Sequence, residues 1–132
     1  MNLKIVLDTN ILLSALWKRP SNPAQIVDLV AMRQLTPCYN AQILAEYSGV
    51  LNRPKFKFSS YDATNLLDLI KKDGLSLLAR PSLIPFPDES DRVFYDLARE
   101  NSAVLITGNT KHYPVEAFIM TPAAFLSELE KE

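Results

Sequence analysis

Short apolar runs alternate along this chain with longer segments in which apolar residues recur every three or four positions. The run Leu3–Leu7 is rich in residues that favour β-strands and stops at an acid, which predicts a buried strand. We predict further short strands at residues 35–39, 75–79, 103–107 and 118–120. Helical periodicity fills the stretches between them, at residues 10–17, 23–33, 41–52, from 60 or 62 to 73, from 90 or 91 to 101, and 122–132.

Polar residues and glycine mark where these helices begin and end. Asn22 before Pro23 predicts the start of the second helix, Asn40 caps the third, and Gly74 stops the fourth. Helices that alternate with short apolar strands indicate a parallel sheet covered on both faces. The predicted fold is therefore a three-layer α/β/α arrangement with a central, mainly parallel sheet, in a single domain over residues 1–132.

Polar residues that follow strands are the candidates for chemistry, because sites in parallel α/β folds form beyond the carboxyl ends of the strands. Asp8 follows the first strand, and Thr107 and Asn109 close the strand at 103–107. Asp91 lies in the first turn of the helix before that strand. If the two strands are parallel neighbours, these side chains reach the same rim.

Two further acids extend this group. Glu46 lies at the edge of the apolar stripe of its helix, and Asp88 lies in the loop just before Asp91. Each position also has an ordinary structural explanation. Asp8 can cap the next helix, Asp91 suits a helix N-terminus, and Asn109 suits a turn beside glycine. The interpretation as a site therefore depends on the group converging.

Converging carboxylates favour a bound cation. Two carboxylates about 4 Å apart repel by roughly 4 kcal/mol at an effective dielectric near 20, so three or more need positive charge among them. Hard oxygen ligands of this kind suit Mg²⁺ or Mn²⁺. Such a metal can activate water and orient it toward a phosphodiester, and no covalent nucleophile is required.

Composition excludes several other classes of site. The net charge is −1, so positive charge for nucleic acid must be local. The lone Cys38 excludes an internal disulfide and a multi-cysteine zinc site, and it suits a buried thiol in a reducing cytoplasm. His112 is the only histidine, and three glycines leave no phosphate-binding loop, dinucleotide turn or Gly-x-Ser-x-Gly elbow. Without a long apolar run, neither a signal peptide nor a membrane span is expected.

Four short motifs, in fitting order and spacing along the whole chain, resemble those of PIN domains. They are Val-Leu-Asp8-Thr9-Asn10, a helical Glu46, Asp91-Arg-Val-Phe-Tyr-Asp-Leu-Ala, and Leu105-Ile-Thr107-Gly-Asn109. The segment Thr107-Gly-Asn-Thr-Lys-His-Tyr-Pro114 is similar to the VapC-like toxins of toxin–antitoxin modules. Each motif is short, and the specificity of the resemblance comes from all four occurring in register.

The resemblance implies a metal-dependent nuclease, since PIN domains use Mg²⁺ or Mn²⁺ and mostly cut RNA. Carried over position by position, the catalytic and metal-binding residues are Asp8, Glu46, Asp91 and Asn109. Thr9 and Thr107 would orient those ligands. Many family members have aspartate at the fourth position, so the uncharged amide predicts a weaker second metal, for which Asp88 would compensate. Toxin members are usually dimers blocked by an antitoxin, so we expect a homodimer and an antitoxin partner.

An RNA substrate requires positive charge near this rim. Basic residues follow three of the motifs, and the predicted RNA contacts are Lys18, Arg19, Arg53, Lys55, Lys111 and His112. Phe56 and Phe58 alternate with the basic residues at 53–57 as candidate stacking surfaces. The same stretch equally fits ordinary surface charge with aromatics that anchor a loop.

Two other functions remain open at this stage. The amide at Asn109 is also compatible with a PIN-fold module that binds RNA or protein without cutting. A receiver-like or phosphatase-like domain would use Asp8 as a phosphate acceptor, but the Asp8-Thr9-Asn10 segment lacks the second acid of an Asp-x-Asp loop.

Overall fold

A five-stranded sheet forms the centre of the protein, whose computed structural model describes residues 3–131. The strands in chain order are β1 (Leu3–Leu7), β2 (Leu35–Tyr39), β3 (Leu75–Ser76), β4 (Val104–Ile106) and β5 (Ile119–Met120). Their order across the sheet is β3-β2-β1-β4-β5, and every pairing is parallel. The sheet predicted as mainly parallel is thus entirely parallel over the described residues.

Six helices cover this sheet, which confirms the predicted three-layer α/β/α fold. They are α1 (Thr9–Trp17), α2 (Asn22–Ala31), α3 (Ala41–Leu51), α4 (Ser60–Asp73), α5 (Arg92–Glu100) and α6 (Pro122–Glu130). Two single 3₁₀ turns, Glu89–Asp91 and Thr110–His112, precede α5 and follow β4. The predicted end of the last helix, at Glu132, lies outside the described residues.

Several predicted boundaries were wrong by one to three residues. Helix α2 begins one residue early, because the Ser21 hydroxyl rather than Asn22 caps it, accepting the Ala24 N–H at 3.2 Å. Strand β3 has only two residues. Both are exposed at the sheet edge, and the paired register with β2 ends at Ser76. Thr107 leaves β4 because its side chain turns to bond Asp8.

The core places the end of β1 against α3 and α5. Tyr47 on α3 is fully buried, and its hydroxyl donates to the Leu7 carbonyl at 2.5 Å, while its ring packs on Phe94 of α5. Cys38 is buried as predicted, and burial raises the pKa of its thiol. None of the helices in residues 3–131 is both long and apolar enough to cross a membrane.

Candidate active site at the carboxyl edge of the sheet

Asp8 and Thr107 meet where β1 and β4 end side by side. Leu7 is in register with Ile106, and the Asp8 N–H donates to the Ile106 carbonyl at 3.0 Å. The Thr107 hydroxyl then donates to Asp8 Oδ2 at 2.9 Å. Both side chains are buried, so this bond forms away from bulk water. The parallel neighbours assumed from the sequence are therefore the strands that bring these residues together.

A second hydroxyl fixes the same carboxylate oxygen. Tyr113, which the sequence did not identify, donates its phenol to Asp8 Oδ2 at 3.2 Å. Burial, followed by the charges of Asp8 and Asp91, raises the pKa of Tyr113 well above its usual value, so its hydroxyl stays protonated and acts as the donor. Its only sequence signal was its position six residues after Thr107, within the segment that resembles VapC-like toxins.

Glu46 reaches the site from α3 and is held by Thr9. The Thr9 hydroxyl donates to Glu46 Oε2 at 2.5 Å, across the junction between α1 and α3. Thr9 is buried and Glu46 is half-buried, and the next residue, Tyr47, is anchored to Leu7. Two successive residues of α3 therefore bind the end of β1 and the start of α1, which fixes the Glu46 carboxylate relative to Asp8.

Asp91 differs from the other acids of this group in lacking a hydrogen-bond donor to a buried oxygen over residues 3–131. Its side chain is 14% exposed, and its Oδ2 accepts no hydrogen bond from residues 3–131. The closest positive candidate is His112, whose Nδ1 lies 3.8 Å from that oxygen. Burial, then the charges of Asp8 and Asp88, raises the pKa of Asp91 to about 6, with His112 opposing and Glu46 adding to the shift.

Asp88 and Asn109 are both on the exposed side of this group. Asp88 caps the 3₁₀ turn before α5 by accepting the Ser90 N–H at 3.0 Å and the Ser90 hydroxyl at 2.8 Å, and these bonds lower its pKa. The Asn109 side-chain amide lies 3.0 Å from His112 Nε2, and its backbone N–H donates to the Thr107 hydroxyl at 3.1 Å. The amide is therefore occupied with the imidazole.

An open cleft of about 410 Å³ joins the four acids, whereas Thr107, Asn109 and Tyr113 are not among the residues that line it. Its lining includes the acids Asp8, Glu46, Asp88 and Asp91 together with His112, Arg53 and Lys55. The remaining predicted RNA contacts lie elsewhere. Lys111 lines a neighbouring hollow, Arg19 pairs with Asp28 at 2.6 Å in a separate hollow, and Lys18 is exposed after the end of α1.

The donor set suits an open cation site rather than a closed cage. Within residues 3–131, no three acidic, histidine or cysteine side chains are already grouped closely enough to enclose a metal ion. The charges of Asp8, Asp88 and Glu46 nevertheless raise the pKa of Asp91. One buried oxygen of Asp91 accepts no hydrogen bond from the described residues. Mg²⁺ commonly binds through one or two carboxylates and keeps several waters or phosphate oxygens, which matches this arrangement.

Comparisons with known proteins agree with the fold and the order of the motifs. An uncharacterised protein of Methanocaldococcus jannaschii is 25% identical over 146 aligned residues, which cover 99% of this chain and 94% of that protein. A chain in the crystal structure of VapBC2 from Rickettsia felis, bound to a DNA fragment from their promoter, has the same fold. Its TM-score is 0.58 at 22% identity, over 89% of this chain and 97% of that chain.

The family model described as the PIN domain matches residues 4–111, a span that contains all four sequence motifs. The resemblance predicted from those motifs is thereby confirmed. This chain belongs to the PIN domain family.

Proposed function

We propose that this protein is a metal-dependent endoribonuclease that hydrolyses RNA phosphodiesters in the cleft around Asp8. The observation that carries the proposal is the buried Asp91 oxygen that lacks a donor and faces the charges of three other acids. A buried carboxylate whose charge is offset only in part, by His112 at 3.8 Å, is unfavourable unless a cation joins it. Membership of the PIN family supports a nuclease, and the cations on the cleft wall support a phosphate-bearing substrate.

Asp8, Glu46 and Asp91 are the residues that would hold Mg²⁺ or Mn²⁺. Bound there, the metal would supply Lewis-acid activation of water and would stabilise the charge that develops on the phosphate oxygens. Thr107 and Tyr113 both donate to Asp8 Oδ2, so they orient that carboxylate before any substrate arrives. A ligand fixed in this way loses little conformational freedom when it binds.

The other side chains of the cleft have separate roles in this proposal. Thr9 fixes Glu46, and Arg53 and Lys55 present positive charge to the RNA backbone. Asp88 supports the turn that carries Asp91. We assign Asn109 to the orientation of His112, because its side-chain amide nitrogen lies 3.0 Å from the imidazole Nε2.

We further propose that the chain is the toxin of a toxin–antitoxin module, with an antitoxin protein as its partner and a second copy of itself in a homodimer. The structural similarity to a chain of VapBC2, together with the VapC-like segment at 107–114, supports this role. Co-purification with the product of an adjacent reading frame, followed by inhibition of cleavage, tests the antitoxin. Sedimentation of the free protein tests the homodimer.

RNA cleavage in the presence and absence of metal tests the nuclease directly. We expect a labelled RNA to be cut with Mg²⁺ or Mn²⁺ and to stay intact in EDTA. Asp8→Asn should reduce cleavage about a thousandfold, because it removes a negative charge that stabilises the bound metal by several kcal/mol. Asp68→Asn is the matched control, because Asp68 is an exposed acid on α4 paired with Lys71. Cleavage that persists in EDTA contradicts the proposal.

The position of Asn109 also supports a second candidate, a PIN-fold module that binds RNA or protein without cutting. The family's fourth acid is replaced here by an amide that is engaged by His112. Metal binding to the folded protein raises its melting temperature by linkage, so thermal unfolding with millimolar Mg²⁺ or Mn²⁺ separates the two functions. Unchanged melting, with RNA bound but intact, favours the binding module.

A further inference from the structure

Three aromatic rings cluster beside the cleft, at the end of α1 and on the loop after α3. Trp17 meets Phe56 edge-on, with ring centroids 5.1 Å apart, and tilts against Phe58 at 5.7 Å. The two phenylalanine rings stack at 6.0 Å and 16°. We call Trp17, Phe56 and Phe58 the aromatic rim. Contacts of this kind hold the rings in a fixed arrangement.

The three rings differ in how much they are covered. Phe56 and Phe58 are half-buried and pack against the core, whereas Trp17 is 60% exposed. Most of the large apolar surface of the indole therefore remains in water, so core packing does not account for it. Trp17 therefore presents exposed aromatic surface next to two rings that are largely covered.

The aromatic rim is continuous with the cleft. Phe56 lines the cleft together with Thr9, Glu46 and Val50. Trp17 is the last residue of the helix that begins at Thr9, next to Asp8. Trp17 is eight positions after Thr9, so at about 1.5 Å per residue it lies about 12 Å along the helix from Thr9, which is next to Asp8. Stacked nucleotides advance about 3.4 Å each along a strand, so this distance spans a few nucleotides.

Positive charge surrounds the rings. Arg53, Lys55 and Lys57 lie on the same loop as the two phenylalanines, and none of them forms an ion pair in the part of the chain that the structure describes. The Lys55 ammonium lies 5.1 Å from the centre of the Phe56 ring. Uncompensated cations that alternate with aromatic faces match a ligand in which phosphates alternate with flat bases.

We infer that the aromatic rim is a binding site for an unpaired base of single-stranded RNA, which stacks on Trp17 a few nucleotides from the cleaved phosphate. This inference rests on the proposed function, because it names the form of RNA that enters the cleft. A base inside a duplex keeps its faces covered by its neighbours, so only unpaired RNA offers a free face to the indole. Stacking tolerates any base, since every base has an aromatic face.

The intrinsic fluorescence of the protein tests the contact without a label or a variant, because Trp17 is the only tryptophan in the chain. The probe is a single-stranded RNA of about eight nucleotides, a length typical of such sites, titrated in EDTA at low salt so that it stays uncut. We expect saturable quenching by this RNA. The same sequence annealed into a duplex should quench much less at equal concentration.

Affinity measurements on variants test how much stacking on Trp17 contributes to RNA binding. We expect Trp17→Ala to raise the Kd for a fluorescein-labelled single strand about tenfold, within the range known for loss of one stacked base. Trp17→Phe should restore most of the affinity because it keeps a ring. Leu83→Ala is the control, since Leu83 is an apolar side chain that is 99% exposed outside the cleft lining. Circular dichroism checks that each variant is folded.

The outcomes separate this inference from the nuclease itself. Quenching by the single strand with a weaker Trp17→Ala complex supports stacking, even if the RNA is never cut. Metal-dependent cleavage without quenching, and with equal affinity in Trp17→Ala, overturns the stacking site and leaves the nuclease intact. In that case the rings would instead suit an apolar segment of a protein partner.

Discussion

The two sides of the cleft hold their side chains in opposite ways. On the acid side, Asp8 is 8% exposed and accepts hydrogen bonds from two buried hydroxyls. On the aromatic rim, Trp17 is 60% exposed and packs against the rings of Phe56 and Phe58. Strand ends and buried donors fix the first side, whereas the end of a helix and a surface loop carry the second.

This difference matches the separate demands of chemistry and binding. Groups that act on a reacting phosphate must be held within a fraction of an ångström, which requires buried partners with defined rotamers. Groups that receive a flexible strand gain from exposed surface that can adapt to the strand. We therefore expect changes on the acid side to affect catalysis strongly and changes on the rim to affect affinity modestly.

Among the changes that test this difference between the acid side and the aromatic rim, Tyr113→Phe should have the largest effect. The change removes one of the two donors to Asp8 Oδ2 while keeping the ring that packs on Phe86. Loss of a group that orients a metal ligand typically lowers metal affinity or activity by about 10- to 100-fold. We expect the Mg²⁺ concentration for half-maximal cleavage to rise by such a factor, as measured by titrating metal at fixed RNA.

Tyr61→Phe is the matched control, because Tyr61 is a 73% exposed tyrosine on α4. Its removal should leave the Mg²⁺ midpoint unchanged. If Tyr113→Phe binds metal and cuts RNA as the wild type does, the buried hydroxyls do not position Asp8 and the proposed contrast between the two sides fails.

A second prediction concerns the stability of the metal-free protein, which Asp91→Asn should increase. The folded pKa of Asp91, about 6, lies above its ordinary value of 3.8, so the folded state binds more protons between these pH values. The protonated Asp91 carboxyl therefore contributes stability to the folded protein below about pH 4, and this contribution is lost as the pH rises to about 6. The amide removes that loss, and we expect about 1–3 kcal/mol of added stability at pH 7.5.

Thermal unfolding in EDTA measures this gain as a rise of several degrees at pH 7.5 that vanishes near pH 4. Glu130→Gln, an exposed acid near the end of α6, should show no such pH-dependent gain. With millimolar Mg²⁺ or Mn²⁺, the melting temperature of the wild type should rise more than that of Asp91→Asn, because the variant lacks one of the metal-binding carboxylates. A variant that is less stable than the wild type at neutral pH without metal would rule out an uncompensated charge at Asp91.

The smallest predicted effect is on the positive wall of the cleft, through Arg53→Ala. Arg53 lines the cleft, whereas Arg19 is paired with Asp28 in a separate hollow. We expect Arg53→Ala to weaken RNA binding a few-fold and to reduce the slope of log K against log salt by about one. Arg19→Ala should leave that slope unchanged. Equal slopes for both variants would show that the cleft wall does not contact phosphates.

The sequence predicted the layers of the fold because strands and helices each have a characteristic spacing of apolar residues. Apolar runs followed by polar turns define β1 and β4, and caps such as Asn40 define where α3 begins. A predicted helix start was wrong where two neighbouring residues were equally suitable as caps, as with Ser21 and Asn22 at the start of α2. The choice there depends on the path of the preceding loop, which a local pattern does not contain.

The sequence predicted Asp8 from its position after a strand, Glu46 from its position at the edge of a helix stripe and Asp91 from its position at a helix start. The structure brings all three to one cleft. Tyr113 was missed because a tyrosine in a loop carries no periodic signal, and its role depends on a contact 105 residues along the chain. The RNA contact of Arg19 stays a prediction, and the structure pairs its guanidinium with Asp28.

By itself, the sequence determined the family and the parallel α/β layers, because short-range patterning and motif order are written along the chain. Only the tertiary structure decided how the acids of the cleft are held. It showed that Asp8 is fixed by two buried hydroxyls, that Asp91 Oδ2 accepts no hydrogen bond from residues 3–131, and that Asn109 bonds His112. The reason is physical: hydrogen bonds and charge interactions depend on distance in space, and only folding brings residues far apart in the chain together.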